Sequence, residues 1–287
     1  MYLDHWKLKQ QPFQNVANSS FTYLSEQHQE GLARLIFAIQ GRRLGAILVG
    51  TYGSGKSMIL ELLARNDTVA ARTRFIQFDV PHGGASGLAR QLQSALHIDL
   101  PYHDIGTALE NIRALIADPQ GGFRHTTLAI DEAQLIKDPE TFELLHRLTN
   151  FRTSDALGRP EASAFTLILA GHVLFEKMIQ KDAALRQRLS LVWHLEPLDL
   201  RQTADYVANR MRAAGGEIGV FEPDTLSEIA SSSGGLPRSI NNICDVALML
   251  GYSMKAQRIN RRLILQAIDE LKSERPNRDP LSGQTHP

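Results

Sequence analysis

The chain has 287 residues, 43% of them hydrophobic and 22% charged, a balance that describes a soluble globular protein of one or two domains and excludes a disordered chain. Lys plus Arg and Asp plus Glu both number 31, so the formal net charge is zero and no chain-wide basic field argues for nucleic-acid binding. The single cysteine, Cys244, excludes an intramolecular disulfide framework, and the histidines show no spacing of a metal site; a reducing cytoplasm is the expected setting.

The start, Met1-Tyr2-Leu3-Asp4-His5-Trp6-Lys7, lacks the basic and then apolar run of a signal peptide. The first aliphatic run, Leu44 to Val49, is too short to span a bilayer and reads as a strand. Further strand candidates are Phe75 to Val80, Thr127 to Ile130, Phe165 to Ala170 and Leu191 to Leu195. Helical patterns separate them, which predicts a five-stranded parallel sheet covered on both faces. Ile59, Leu60, Leu62 and Leu63 mark one such helix, and Leu88 to Leu96 mark another after the turn Pro81-His82-Gly83-Gly84. Asp138-Pro139 supplies the cap and first-turn proline of a third, with Phe142, Leu145 and Leu148 at helical spacing, ending near Asn150. Beyond Pro197 only helical patterns follow, at about Arg201 to Ala214, Pro223 to Ser232, Pro237 to Tyr252 and Asn260 to Lys272. These read as a small helical domain over 199–272, with 273–287 as a polar, disordered tail.

Two motifs carry chemistry. Gly50-Thr51-Tyr52-Gly53-Ser54-Gly55-Lys56-Ser57 fits G-x-x-x-x-G-K-[ST] directly after a strand and directly before a helix, and with Met58 it forms the nucleotide-binding set. Its glycines let backbone N–H groups wrap phosphates, Lys56 reaches the β- and γ-phosphates, and the Ser57 hydroxyl is placed to ligate Mg²⁺. Thr127-Leu128-Ala129-Ile130-Asp131-Glu132 is an apolar strand ending in two carboxylates. Asp131 suits a Mg²⁺ shell and Glu132 a base for the attacking water, which predicts hydrolysis of ATP as well as binding.

Three further positions are candidates. His172, after Phe165 to Gly171, falls near the γ-phosphate end as a sensor, or is a surface histidine. Arg186 and Arg188, before the last strand, can reach a neighbouring subunit's nucleotide, or line a solvated helix face. Arg238, in Gly234-Gly235-Leu236-Pro237-Arg238, opens a helix of the small domain, where it can touch the γ-phosphate or remain in solvent.

The order of these pieces resembles an AAA+ ATPase, and the pattern of the ExeA type in particular. The residues carrying that resemblance are Met1-Tyr2-Leu3-Asp4-His5-Trp6, Pro12-Phe13, Tyr23-Leu24-Ser25 and His28, then Leu169-Ala170-Gly171, Gln187-Arg188-Leu189, His194-Leu195-Glu196-Pro197-Leu198 and Gly235-Leu236-Pro237-Arg238-Ser239-Ile240-Asn241. The resemblance implies a P-loop AAA+ three-layer α/β sandwich over 1–198, with an N-terminal segment on the adenine side, and a helical lid over 199–272. It implies ATP and Mg²⁺ as ligands, Lys56, Ser57, Asp131 and Glu132 in nucleotide chemistry, Arg188 as the finger with Arg186 in reserve, and Arg238 as the second sensor. It also implies self-association into a ring or filament. Two departures stand out: His172-Val173 replaces the usual Gln-Pro, and the segment from Thr153 to Ala164 is longer than usual.

Larger members of that type continue into a transmembrane helix and a cell-wall-binding domain and help assemble secretion or pilus machinery. Without those parts the chain is also similar to transposition regulators of the TnsC and MuB sort, which assemble on DNA and recruit a transposase. Arg42 and Arg43, Arg72 and Arg74, and Arg258, Arg261 and Arg262 are the residues available for phosphate contacts in that case. A slow, nucleotide-gated scaffold is the third expectation.

Overall fold

Three apolar runs are buried at every residue, Gly45–Gly50, Thr126–Ile130 and Phe165–Gly171, whereas Arg74–Phe78 and Leu191–Leu195 are only partly covered. Strands hidden on both faces need continuous hydrophobic sequence, and edge strands do not. The three buried runs are accordingly the middle strands of a sheet. In the computed structural model, which describes residues 2–15, 21–79, 83–118, 120, 122–154 and 160–273, the chain begins with α1 (Tyr2–His5), α2 (Glu26–Gln40), β1 (Gly45–Gly50), α3 (Lys56–Ala64), α4 (Asp67–Arg72) and β2 (Arg74–Phe78). It continues with α5 (Gly84–Ala95), α6 (Ile105–Ala117), β3 (Thr126–Ile130), a 3₁₀ turn at Ala133–Leu135, α7 (Pro139–Thr149), β4 (Arg152–Ser154), β5 (Pro160–Ser163) and β6 (Phe165–Gly171). Then follow α8 (Val173–Lys181), α9 (Ala183–Arg188), β7 (Leu191–Leu195), α10 (Leu200–Ala213), α11 (Pro223–Ser233), α12 (Pro237–Ser253) and α13 (Arg261–Ser273).

The sheet has the order β2-β3-β6-β1-β7 and all its pairings are parallel. Because side chains alternate across a strand, each middle strand feeds two cores. Ile47, Val49, Leu128, Ile130, Leu167 and Leu169 pack on one side with residues of α5, α6 and α7. Ala46, Leu48, Ala129, Ile168 and Ala170 pack on the other with residues of α2, α3 and α4. The register pairs Val49 with Gly171 and Ile130 with Leu169, so β1, β3 and β6 end together along one edge. In open parallel sheets that edge is where ligands bind.

The chain divides into two compact units, Glu26–Glu196 and the combination of Met1–Ser25 with Pro197–Pro287. The division differs from the sequence-based boundary at 198/199, which left residues 1–25 with the sheet. The reason is specific packing. Trp6 Nε1 donates to Leu248 O at 3.0 Å, the Phe13 ring meets Phe221 edge to face at 5.9 Å, and Arg210 donates to the carbonyls of Pro12 and Gln14, each at 2.6 Å. The expected tail lies outside the described residues except for Ser273, the last residue of α13.

Candidate nucleotide site

At the end of β1 the backbone turns through Gly53 at φ 81° and Gly55 at φ 101° before α3 begins. A side chain at Gly55 would be strained by that φ, and its Cβ would lie 2.9 Å from His28 Nε2. No side chain caps α3. Its first-turn N–H groups therefore remain available to an anion, at the positive end of the helix dipole.

Lys56 is 5% exposed, and its ammonium donates to Gly50 O and Thr51 O at 3.0 Å each. A charge that buried needs partners, and here the carbonyls of its own loop serve. The loop also contains two buried hydroxyls, Thr51 Oγ1 and Ser54 Oγ, that have no hydrogen-bond partner. Tyr52 is exposed and lies stacked on the His172 ring at 4.9 Å, and Met58 is half-buried on the first turn of α3.

The second carboxylate motif meets the first motif directly. Ser57 Oγ donates to Asp131 Oδ2 at 2.5 Å, while Asp131 Oδ1 accepts from the Glu132 N–H at 2.8 Å. Asp131 is 4% exposed at the end of β3. Hard oxygen donors of this kind suit Mg²⁺, which keeps most of its shell as water and phosphate oxygen. Among the described residues no group of three or more His, Cys, Asp or Glu is placed to hold a metal.

Glu132 has left-handed backbone, φ 48° and ψ 36°, a conformation that costs a non-glycine residue roughly 1–3 kcal/mol and is concentrated at functional sites. Its carboxylate accepts from Gln134 Nε2. His172, the sensor candidate, accepts the Leu174 N–H on Nδ1 at 3.4 Å as the N-cap residue of α8, and its own N–H donates to Gln134 Oε1 at 2.9 Å. The structure thus brings together Gly50 to Ser57, Asp131, Glu132 and His172.

Two residues of this site were not singled out for chemistry by the sequence. Gln134 is one. The other is His28 on α2, whose buried ring bonds Ser54 O at 2.9 Å and braces the loop from behind. Burial pushes the His28 pKa down, against the raising effect of that hydrogen bond, so the neutral ring is a donor to the carbonyl. No fixed spacing from the glycine loop marks either residue.

Arg188, in the last turn of α9, donates to Asn150 Oδ1 at 2.9 Å and to Ala184 O at 3.2 Å, and Arg186 on the same helix is exposed. Arg238 is exposed in the first turn of α12, after Pro237.

The family described as AAA domain matches residues 15–179. General secretion pathway protein A of Aeromonas hydrophila is 31% identical over 267 residues, covering 90% of this chain and 46% of that protein; the chain spans about half the length of that relative. Among solved structures, Cdc6p from Pyrobaculum aerophilum superposes with a TM-score of 0.68 at 18% identity, over 89% of this chain and 71% of that one. Orc1 of Aeropyrum pernix, in complex with DNA, gives 0.64 at 17%, over 88% and 67%. The RuvB Holliday junction branch migration motor of Thermotoga maritima gives 0.57 at 19%, over 86% and 69%. At such identities the structural likenesses establish the fold alone. With the sheet order, the glycine loop and the family match in agreement, the chain is an ExeA-type member of the AAA domain family.

Proposed function

We propose that the chain binds ATP with Mg²⁺ at this loop, hydrolyses it, and works as an oligomer that assembles or remodels a protein partner in the cytoplasm. The observation that carries the reading is the Ser57–Asp131 hydrogen bond at the mouth of the loop, with Glu132 one residue on. The loop N–H groups and the start of α3 hold the phosphates, and Lys56 exchanges its two loop carbonyls for β- and γ-phosphate oxygens. Bound Mg²⁺ supplies charge neutralisation at the phosphates, with Ser57 Oγ and Asp131 as its protein-side groups. Glu132 orients the attacking water and takes up its proton. The family pattern assigns Arg238 to the γ-phosphate from the helical unit and Arg188 to the nucleotide of a neighbouring copy, with Arg186 as the fallback.

The name of the Aeromonas relative favours a component of a secretion system as the protein partner. A second reading is binding of duplex DNA as in transposition regulators, for which Arg42, Arg43 and Arg72 are exposed and can serve as phosphate contacts.

Calorimetric titration with ATP and Mg²⁺ tests the binding step. Wild type is expected to bind and Lys56→Ala to lose roughly 100-fold in affinity, about 3 kcal/mol for removing one partner of a desolvated charge contact. Equal affinity in the two proteins contradicts the loop assignment.

A further inference from the structure

We propose that Gln134 is a positioning residue for hydrolysis: its amide holds the Glu132 carboxylate and ties it to the end of β6. Gln134 sits in the middle of the 3₁₀ turn Ala133–Leu135, half-buried, and makes three contacts in different directions. Its Oε1 accepts the backbone N–H of His172 at 2.9 Å. Its Nε2 donates to Glu132 Oε2 and, more weakly, to Tyr52 Oη at 3.4 Å. Anchoring the oxygen fixes which way the amide faces, because a primary amide has acceptors at one end and donors at the other. The donor end is therefore committed to Glu132.

The bond from Gln134 is the one hydrogen bond made by the Glu132 side chain among the described residues. A carboxylate that must meet a water at hydrogen-bond range loses rate steeply when its rotamers are free. The anchor is also tight. A Cβ on Gly171 would come within 3.1 Å of Gln134 Oε1, so the amide lies close against the backbone at the end of β6. Through Tyr52 and the ring of His172, stacked at 4.9 Å, the same amide touches the glycine loop. One side chain thus joins the ends of β1, β3 and β6, the three elements that converge on the phosphates.

The role presupposes the ATPase reading of the site, so the test measures ATP binding and turnover separately in the full chain. Gln134→Ala removes both ends of the amide. Gln134→Glu keeps the length and the oxygen that accepts from His172 but replaces the donor with a second carboxylate oxygen. With Mg²⁺ saturating, kcat is expected to fall roughly 10- to 100-fold in both variants. For Gln134→Ala, ATP affinity, read with a fluorescent ATP analogue, is expected to stay within about threefold of wild type, as is KM.

A Gln134→Glu protein with wild-type kcat reduces Gln134 to a structural tie to His172 and overturns the proposal. So does a Gln134→Ala protein whose kcat is unchanged, or one whose ATP affinity falls in step with kcat. In each of those cases wild-type turnover leaves the ATPase reading standing. A wild-type chain that neither binds nor hydrolyses ATP overturns both.

Discussion

Buried polar groups of the large unit are satisfied in different ways. Lys56 donates to two carbonyls of its own loop, and these are the contacts a nucleotide's phosphates would replace. His125 is buried with less support. It is 3% exposed beside β3, its ring contacts Thr166 Oγ1 at 3.1 Å, and burial, with a smaller push from Arg42, lowers its pKa to about 4. The folded chain therefore keeps a neutral ring where the unfolded chain, with an ordinary histidine pKa, takes up a proton. Between about pH 6.5 and pH 4 the unfolded state binds more protons, so stability falls with pH across that window and the contribution levels off below it. The expected loss is about 2 kcal/mol, discounted from the full shift. Urea unfolding at pH 7 and pH 5 should show a clearly smaller decline in His125→Gln than in wild type. An identical decline in the two proteins contradicts the assignment.

Elements form where local pattern and packing agree, and the exceptions are instructive. The three middle strands were legible because buried parallel strands need unbroken apolar runs, and α7, α11 and α12 because Pro at the first turn marks their starts. Helix α2 was missed. Its apolar residues Leu32, Leu35, Ile36 and Ile39 recur at helical spacing, but the half before them is polar with a glycine at 31, where a Cβ would lie 2.6 Å from the Trp193 ring. The β4–β5 hairpin was read only as a long segment, since three- and four-residue strands carry too little period to count. In the candidate site, Gly50 to Ser57 and Asp131-Glu132 could be proposed from the glycine spacing and the strands that precede each motif. The contacts of His28 with Ser54 and of Gln134 with His172 join residues far apart in the chain, which no local pattern announces.

The N-terminal segment illustrates the same limit. Nothing local to residues 2–15 says that they pack on α10 and α12; the tie is Arg210, 6% exposed, which also stacks over Phe21 at 4.9 Å. Arg210→Ala leaves the Pro12 and Gln14 carbonyls without that donor and is expected to destabilise the helical unit by about 2–4 kcal/mol. The chain has two tryptophans, so in a Trp193→Phe background the fluorescence of Trp6 reports on this unit. An unfolding midpoint unaltered by Arg210→Ala would remove the segment's proposed anchor.

At the scale of the whole molecule, one unit holds the glycine loop, the two carboxylates and Arg188, and the other holds Arg238. Among the described residues no helix is long and apolar enough to cross a membrane. In the proposed reaction the roles of Arg238 and of Arg188 from a second copy come from the family pattern alone. The most direct measurement is steady-state phosphate release by wild type, by Glu132→Gln, by Arg188→Ala and by an equimolar mixture of the two variants, all with ATP binding verified. Each variant alone is expected to fall at least 100-fold, and the mixture to recover part of the activity, because an intact Glu132 then faces an intact Arg188. Turnover by Glu132→Gln at the wild-type rate would contradict the assignment of the base, and a mixture as inactive as its parts would contradict the shared site.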